Sequence, residues 1–573
     1  NNVCFVADDG SNADGYMIQH AQQADDLGEY INTSHPEFMV NKIYFDSYKK
    51  DFSGGLSTYP DVKTNLQKQL KNGLLLINYT GHGNTVSWSD EKVLTESDIT
   101  KSTYTRLPVW ITATCDFCRF DAPVTSAGEQ VFLNKVSGGI GLFTTTRVAY
   151  SSPNFSINDN LIRNLFEKKN GRRLTLGEVM KATKQALGSS RYKLGFALIG
   201  DPALKLAYPE YRMRVTAING NPVTDEPVDF KALQKITVEG KVLDPGGNIA
   251  TGFNGLLNPT VMDSRLSYET LDNNKTGTKF KYTDYSNILF IGNDSVRAGK
   301  FSFTFTVPKD ISYSNEFGKM NLYASDETND LEAQGAYLNY RVGGTDDNAE
   351  DDYDGPEIRA LYLNDSTFVS GDQVNTTPFF VARLWDKSGV NITGSSIGHD
   401  MMLIIDGDPS FSFNLNSYYE LIPGSDGEGI AKYLIPALTP GIHTAEFKVW
   451  DIQNNSTTYE FEFEVVEGLK PYLLELTASP SPAREQVEFH LFHNRPESQL
   501  TVGIMVYDMM GRLQWKHQET GASELFKSYT VTWDLTNNRG GRLRPGVYIY
   551  RAAISSGGSK EATDAKKLII LAQ

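Results

Sequence analysis

The apolar run Leu74-Leu75-Leu76-Ile77 leads through Asn78-Tyr79-Thr80 into Gly81-His82-Gly83, a histidine held between two glycines. A second run, Pro108-Val109-Trp110-Ile111-Thr112-Ala113-Thr114, ends on Cys115, with Asp116-Phe117-Cys118 behind it. Glycine on both sides of His82 allows backbone conformations that a side chain would forbid and lets a substrate approach closely. If the two runs are neighbouring strands of an open α/β sheet, His82 and Cys115 face one another across its carboxyl edge, where such sheets bind ligands. A thiol beside an imidazole can be held as a thiolate, and the imidazolium can then protonate a leaving amine, which is acyl-transfer chemistry. The same residues admit other readings: a structural histidine, a disulfide or CxxC redox pair of Cys115 with Cys118, or a metal site. A thioredoxin-type CxxC opens a helix directly after its strand, whereas Asp116 to Pro123 carries no helical periodicity. Before residue 208 the histidines are His20, His35 and His82, a thin supply for zinc. His490 and His493 have HxxH spacing in a β-like region, where residues three apart face opposite ways.

The elements that would position these groups follow from periodicity. Up to about residue 207, short apolar runs alternate with helical stretches, as a mostly parallel sheet with crossover helices requires. The expected strands are Val3 to Ala7, Val40 to Phe45, Leu74 to Tyr79, Val109 to Ala113, Gly139 to Thr144 and Phe196 to Leu206. Capping boxes, Ser126 with Glu129 and Thr175 with Glu178, mark two helix starts. From residue 208 the texture changes to alternating strands rich in Thr, Val, Tyr and Phe, broken by Gly, Asn, Asp and Pro, which reads as β-sandwiches. Lys300 to Val307 and Tyr459 to Val465 are examples. The acidic stretch Gly343 to Gly355 reads as a solvated hinge whose carboxylates offer a calcium site as the alternative. A further boundary falls at Glu467 to Tyr472. The expected domains are 1–207, 208–345, 346–468 and 469–573.

Composition narrows the partners. The 573 residues carry a net charge of −16, which disfavours phosphate backbones, so nucleic acid is not an expected partner. No apolar run approaches the ~20 residues that cross a bilayer as a helix. All three cysteines, Cys4, Cys115 and Cys118, lie within the first 118 residues, so a disulfide framework is excluded for the rest. The chain opens directly on a strand-like run, Val3-Cys4-Phe5-Val6, without a secretory leader, as a fragment missing its upstream part would.

The motif Asn78-Tyr79-Thr80-Gly81-His82-Gly83, with Trp88 and the downstream Cys115, resembles the gingipain-type cysteine peptidases. Further echoes are Val3 to Ala7 with Ile18-Gln19-His20, Ala127-Gly128-Glu129, Gly138-Gly139-Ile140 and Leu198-Ile199-Gly200-Asp201-Pro202. The resemblance spans residues 1–207 and implies an α/β caspase-like domain. It implies that His82 is the catalytic base and acid, Cys115 the nucleophile, and the amides of Gly83 and Cys115 the oxyanion hole. It also implies an acidic residue that orients the histidine. Asp14 matches best, with Asp8 and Asp9 as alternatives. No cofactor or metal is expected.

Toward the C-terminus, Ser479-Pro480-Ser481-Pro482, Val506-Tyr507-Asp508-Met509-Met510-Gly511-Arg512, Trp533-Asp534-Leu535 and Pro545-Gly546-Val547-Tyr548 resemble the signal domain of type IX secretion cargo. Together with Ig-like sandwiches between, the series resembles the cell-surface sortases of that system. The resemblance implies cleavage of C-terminal signal domains from exported proteins and transfer of the new carboxyl end to anionic lipopolysaccharide. It further implies a peripheral location on the outer leaflet of the outer membrane, held through a PorV-like barrel partner. A general surface endopeptidase and a non-catalytic adhesin are the alternatives.

Overall fold

A computed structural model describes residues 2–10, 18–52, 57–102, 104–393, 398–422, 425, 427–525, 527–559 and 562–572. Its contacts divide the chain into two units: Asn1–Phe230, Ile236–Phe305 and Ser312–Gly344 in the first, and Lys231–Lys235, Thr306–Ile311 and Thr345–Gln573 in the second.

The first unit opens with eight strands and six helices: β1 Asn2–Ala7, α1 Gln19–Ser34, β2 Met39–Tyr44, α2 Pro60–Asn72, β3 Leu76–Thr80, β4 Ser87–Trp88, β5 Leu94–Thr95, α3 Glu96–Lys101, β6 Val109–Ala113, α4 Ala127–Leu133, β7 Gly141–Thr145, α5 Ser151–Phe166, α6 Leu176–Ala186 and β8 Phe196–Gly200. Six strands form one sheet in the order β2-β1-β3-β6-β7-β8, parallel except for the β7–β8 edge. Alternation along β1 sorts its side chains between two cores. Val3, Phe5 and Ala7 pack with α1, α5 and α6 on one face, while Cys4 and Val6 pack with α2, α3 and α4 on the other. Burial on both faces explains why β3 and β6 read as continuous apolar runs.

Both expected capping boxes are present, and a third, Thr95 with Asp98, opens α3. Aspartate performs there the reciprocal bonding usual for glutamate, so the S/T-x-x-E pattern passes over it. The last strand is shorter than expected, ending at Gly200 rather than Leu206. Asp201 turns the chain by accepting the Ala203 N–H at 2.8 Å, and Pro202 has no N–H for a sheet ladder. Gly139 and Ile140 precede β7 rather than belong to it, because the Gly139 N–H donates to the Val131 carbonyl of α4 at 2.9 Å instead of to a neighbouring strand.

The remainder of the first unit is β-structure. A nine-stranded sheet including Tyr211–Ile218, Lys235–Leu243, Lys300–Thr306 and Lys319–Asp326 faces a three-stranded one. Phe230 joins them, its ring 6.0 Å from Phe305. A hairpin from this region, Leu266–Glu269 with Lys281–Asp284, lies against the α/β sheet, its Tyr282 ring 4.9 Å from that of Tyr44.

In the second unit, a four-stranded and a five-stranded sheet enclose one core, with Phe380 and Phe447 in ring contact at 5.1 Å. A three-stranded and a four-stranded sheet from residue 473 onward enclose another around Phe489, Trp533 and Tyr550. The acidic stretch read as a solvated hinge is tied down at its end: Gln453 and Asn455 side-chain amides donate to the carbonyls of Glu350 and Asp352 at 2.9 Å.

Candidate active site

His82 and Cys115 leave adjacent parallel strands at the same level. The β3–β6 register pairs Thr80 with Ala113, so His82 and Cys115 follow two residues on, and the Gly81 N–H donates to the Ala113 carbonyl at 3.4 Å. Both line one small pocket with His20, Gln23, Thr114, Ala149, Ser151 and Asn154.

Each side of this pair is braced. The Tyr79 hydroxyl donates to the His82 carbonyl at 2.6 Å, and the Tyr79 ring stacks on Trp88 at 4.2 Å and 5°. Asn78, whose type is unusual in a buried strand, exchanges amide hydrogen bonds with Asn158 of α5 at 2.6 and 3.0 Å, and Asn158 also donates to Thr80 Oγ1 at 3.2 Å. The NYTGHG motif is therefore a set of supports for the histidine backbone. Gly81 is required by close approach, since a Cβ there would fall 2.3 Å from Asp8 Cβ. At Gly83 a Cβ would meet Thr114 Oγ1 at 2.5 Å. The turn after His82 closes through Asn84 N–H to the Ser87 carbonyl and Ser89 N–H to the His82 carbonyl, which leaves the Gly83 N–H out of that bridge.

The Cys115 thiol donates to the Ala149 carbonyl at 3.3 Å and accepts the Ala149 N–H at 3.4 Å. The residue before it is anchored by Thr145, whose hydroxyl donates to the Thr114 carbonyl at 2.6 Å, and the residue after it, Asp116, takes a positive φ of 50°. Cys118 points elsewhere. It is fully buried, its thiol is pushed up to about 11 chiefly by that burial, and a Cβ on Gly128 would lie 2.7 Å from its own Cβ. All three cysteines are free, so the disulfide alternative for Cys115 and Cys118 is set aside. No helix follows Cys115 until α4, as the missing periodicity indicated, and a buried Cys118 thiol lacks the access a redox partner needs.

Asp14, the expected orienting acid, lies outside the described residues. The alternatives have distinct tasks. Asp8 accepts the main-chain N–H of His82 through Oδ2 at 2.9 Å and that of Asp9 through Oδ1 at 3.0 Å. Burial, then the charges of Asp9 and Glu91, raise its carboxyl well above the usual range against the His82 hydrogen bond. Asp9 Oδ2 accepts from Lys50 at 2.8 Å, Tyr59 at 2.7 Å and Asn274 at 2.7 Å. Asn274 sits in the loop of the 266–284 hairpin, so a segment outside 1–207 braces the Asp9 loop. Two features escaped the motif reading: the His20 ring, on α1, meets the His82 ring edge-on at 5.3 Å, and Ala149 holds the thiol entirely through its backbone.

Among the described residues, two acidic clusters have spacing compatible with a cation. Asp8, Asp9 and Glu91 form one, but the Lys50 ammonium already contacts Asp9 and Glu91 there. Asp352, Asp386 and Asp451 form the other, in the second unit, with burial raising the Asp386 and Asp451 carboxyls.

Residues 1–207 match the family model of peptidase family C25. No curated protein matches the chain. Among solved structures, dimeric latent PorU from Porphyromonas gingivalis aligns with 100% of this chain at 26% identity and a TM-score of 0.33, and the chain spans 64% of that protein's length. The Arg-specific cysteine proteinase gingipain R aligns with 60% of this chain and 66% of its own at 18% identity and a TM-score of 0.30. The complex of Porphyromonas gingivalis RgpB pro- and mature domains gives 17% identity over 60% of this chain and 68% of its own, with a TM-score of 0.30. No described helix is long and apolar enough to cross a membrane.

Proposed function

With residues 1–207 matching peptidase family C25, we propose that the chain is a cysteine peptidase of caspase-like layout that works as a cell-surface sortase. The observation that carries this reading is the placement of Cys115 and His82 at one level of adjacent strand ends, lining one pocket within the family-matched segment. His82 takes the Cys115 proton as Sγ attacks the scissile carbonyl, and the amides of Gly83 and Cys115 receive the developing oxyanion. The imidazolium then gives its proton to the departing amine, leaving a thioester on Cys115. Asp14 is the proposed orienting acid.

The substrates proposed are exported proteins with C-terminal signal domains, and the acceptor that resolves the thioester is an amine of anionic lipopolysaccharide. Residues 469–573, which resemble such a signal domain, would dock on an outer-membrane barrel and hold the enzyme peripherally on the outer leaflet. Trapping the acyl group on Cys115 and identifying it by mass spectrometry tests the reading. A cargo fragment ending before its signal domain supports it. Fragments cut throughout the cargo and released by water indicate a general endopeptidase instead, and an unmodified Cys115 with undiminished processing removes the enzyme reading.

A further inference from the structure

A larger cavity of about 440 Å³ lies beside the catalytic pocket, within the size range of ligand sites. Two residues line both spaces: Ala149, whose backbone holds the Cys115 thiol, and Asn154. The cavity's walls are largely apolar, with Ile157 and Phe196 buried at 3% and 1% exposure and Val148, Tyr150 and Leu194 exposed at 60% or more. Tyr150 and Tyr192 meet edge-on at 5.7 Å.

The charges are of one sign. Arg147 and Arg191 line the cavity, and no carboxylate does so among the described residues. Arg147 is engaged by Asp121 at 2.7 Å, and the Arg191 guanidinium lies 5.6 Å from the Tyr192 ring centre. A second observation comes from the seam between the two spaces. Asn154 is 6% exposed, and its Oδ1 has no hydrogen-bond partner among the described residues. A buried carbonyl oxygen of this kind suits an incoming N–H donor.

Resting on the Cys115–His82 reading, we infer that this cavity receives the substrate side chain on the acyl side of the scissile bond and excludes a cationic one. Asn154 Oδ1 accepts the main-chain N–H of the same substrate residue. A lysine or arginine entering here would exchange water for apolar walls and two guanidinium groups with no carboxylate to pair it, a built-in rejection. Asn154 is a positioning residue: it binds the backbone common to all substrates and leaves the choice among side chains to the cavity.

The test uses the full chain and peptidyl acyloxymethyl ketones that differ only at this position, carrying leucine, phenylalanine or arginine. The second-order rate of Cys115 alkylation is followed by mass spectrometry. Leucine and phenylalanine should react at least about tenfold faster than arginine. Arg191→Glu, with Leu194→Asp as a second variant should the first not fold, should narrow the leucine-to-arginine gap by about tenfold. Asn154→Ala should slow all probes by a common factor and leave their ratios unchanged. Alkylation of Cys115 with arginine equal to or faster than leucine overturns the inference and leaves the dyad standing. Failure of every probe at Cys115 overturns the dyad reading, and the inference with it.

Discussion

The main-chain N–H of His82 donates to the Asp8 carboxyl at 2.9 Å, so the residue that follows β1 sets the position of the histidine two residues past β3. Asp8 is 5% exposed and sits against Gly81 at a spacing that excludes a side chain there. The Asp8→Ala variant should therefore lower turnover on the order of 100-fold with KM little changed, because a shift of about 1 Å in a catalytic group costs that much. Asp8→Asn keeps one acceptor and should retain more activity. Steady-state kinetics decide it; equal losses in both variants would show that the acceptor is not what matters.

Cys115→Ala and His82→Ala should each abolish processing without unfolding the protein, and the double variant should be no worse than either, since the two groups act as a unit. Circular dichroism checks the fold and a cargo-cleavage assay the activity. Cys118→Ser should keep the activity, because that thiol lies in the core beside Gly128. Activity in either single dyad variant comparable to the parent chain ends the catalytic assignment.

Gly83→Ala should inactivate by collision, since its Cβ would lie 2.5 Å from Thr114 Oγ1 and 3.3 Å from Thr114 Cγ2. Adding Thr114→Ala removes both atoms and should restore part of the Cys115 alkylation rate. If the second change restores nothing, the Ser87 carbonyl, 3.1 Å from the same Cβ, is the contact that excludes a side chain.

Lys50 is the cation between two carboxylates, with Asp9 at 2.8 Å and Glu91 at 2.7 Å from its ammonium, and all three side chains have little solvent. Removing one partner of a buried ion pair typically costs about 3–5 kcal/mol, because the remaining charge stays buried and unpaired. Lys50→Met should lower stability by that order in denaturant titration, and Lys50→Met with Asp9→Asn should lose less than the sum of the single changes.

The placement of His82 and Cys115 on adjacent strand ends was legible because the signal is local: an apolar run, then glycine, histidine and glycine, then a second run ending in cysteine. The supports were partly legible. Tyr79 and Trp88 stood in the motif, but that the tyrosine hydroxyl reaches back to the His82 carbonyl depends on the hairpin β4–β5 folding over it. Asn274 was invisible, since nothing in the sequence joins a hairpin loop near residue 274 to an aspartate at 9. The acidic stretch is exposed over most of its length, as a solvated linker is, but that Asp386 and Asp451, from distant turns, come within 4.8 Å of Asp352 was equally invisible.

The C-terminal sandwich should carry its own acid sensitivity, centred on His493. Its Nδ1 accepts the Arg495 N–H at 3.1 Å, so the neutral ring keeps its proton on Nε2. Burial and then the Arg495 charge lower this histidine from 6.5 to about 4. Because the folded state binds the proton less readily than the unfolded chain, the stabilisation is fully present above pH 6.5 and is lost as pH falls toward 4. His493→Gln retains an acceptor and cannot titrate, so it should flatten that limb of the stability curve. Trp533 and Trp515 are in ring contact at 4.7 Å within this sandwich, which makes tryptophan fluorescence a readout of its unfolding. If parent and variant lose stability in parallel between pH 6.5 and 4, another group governs the transition.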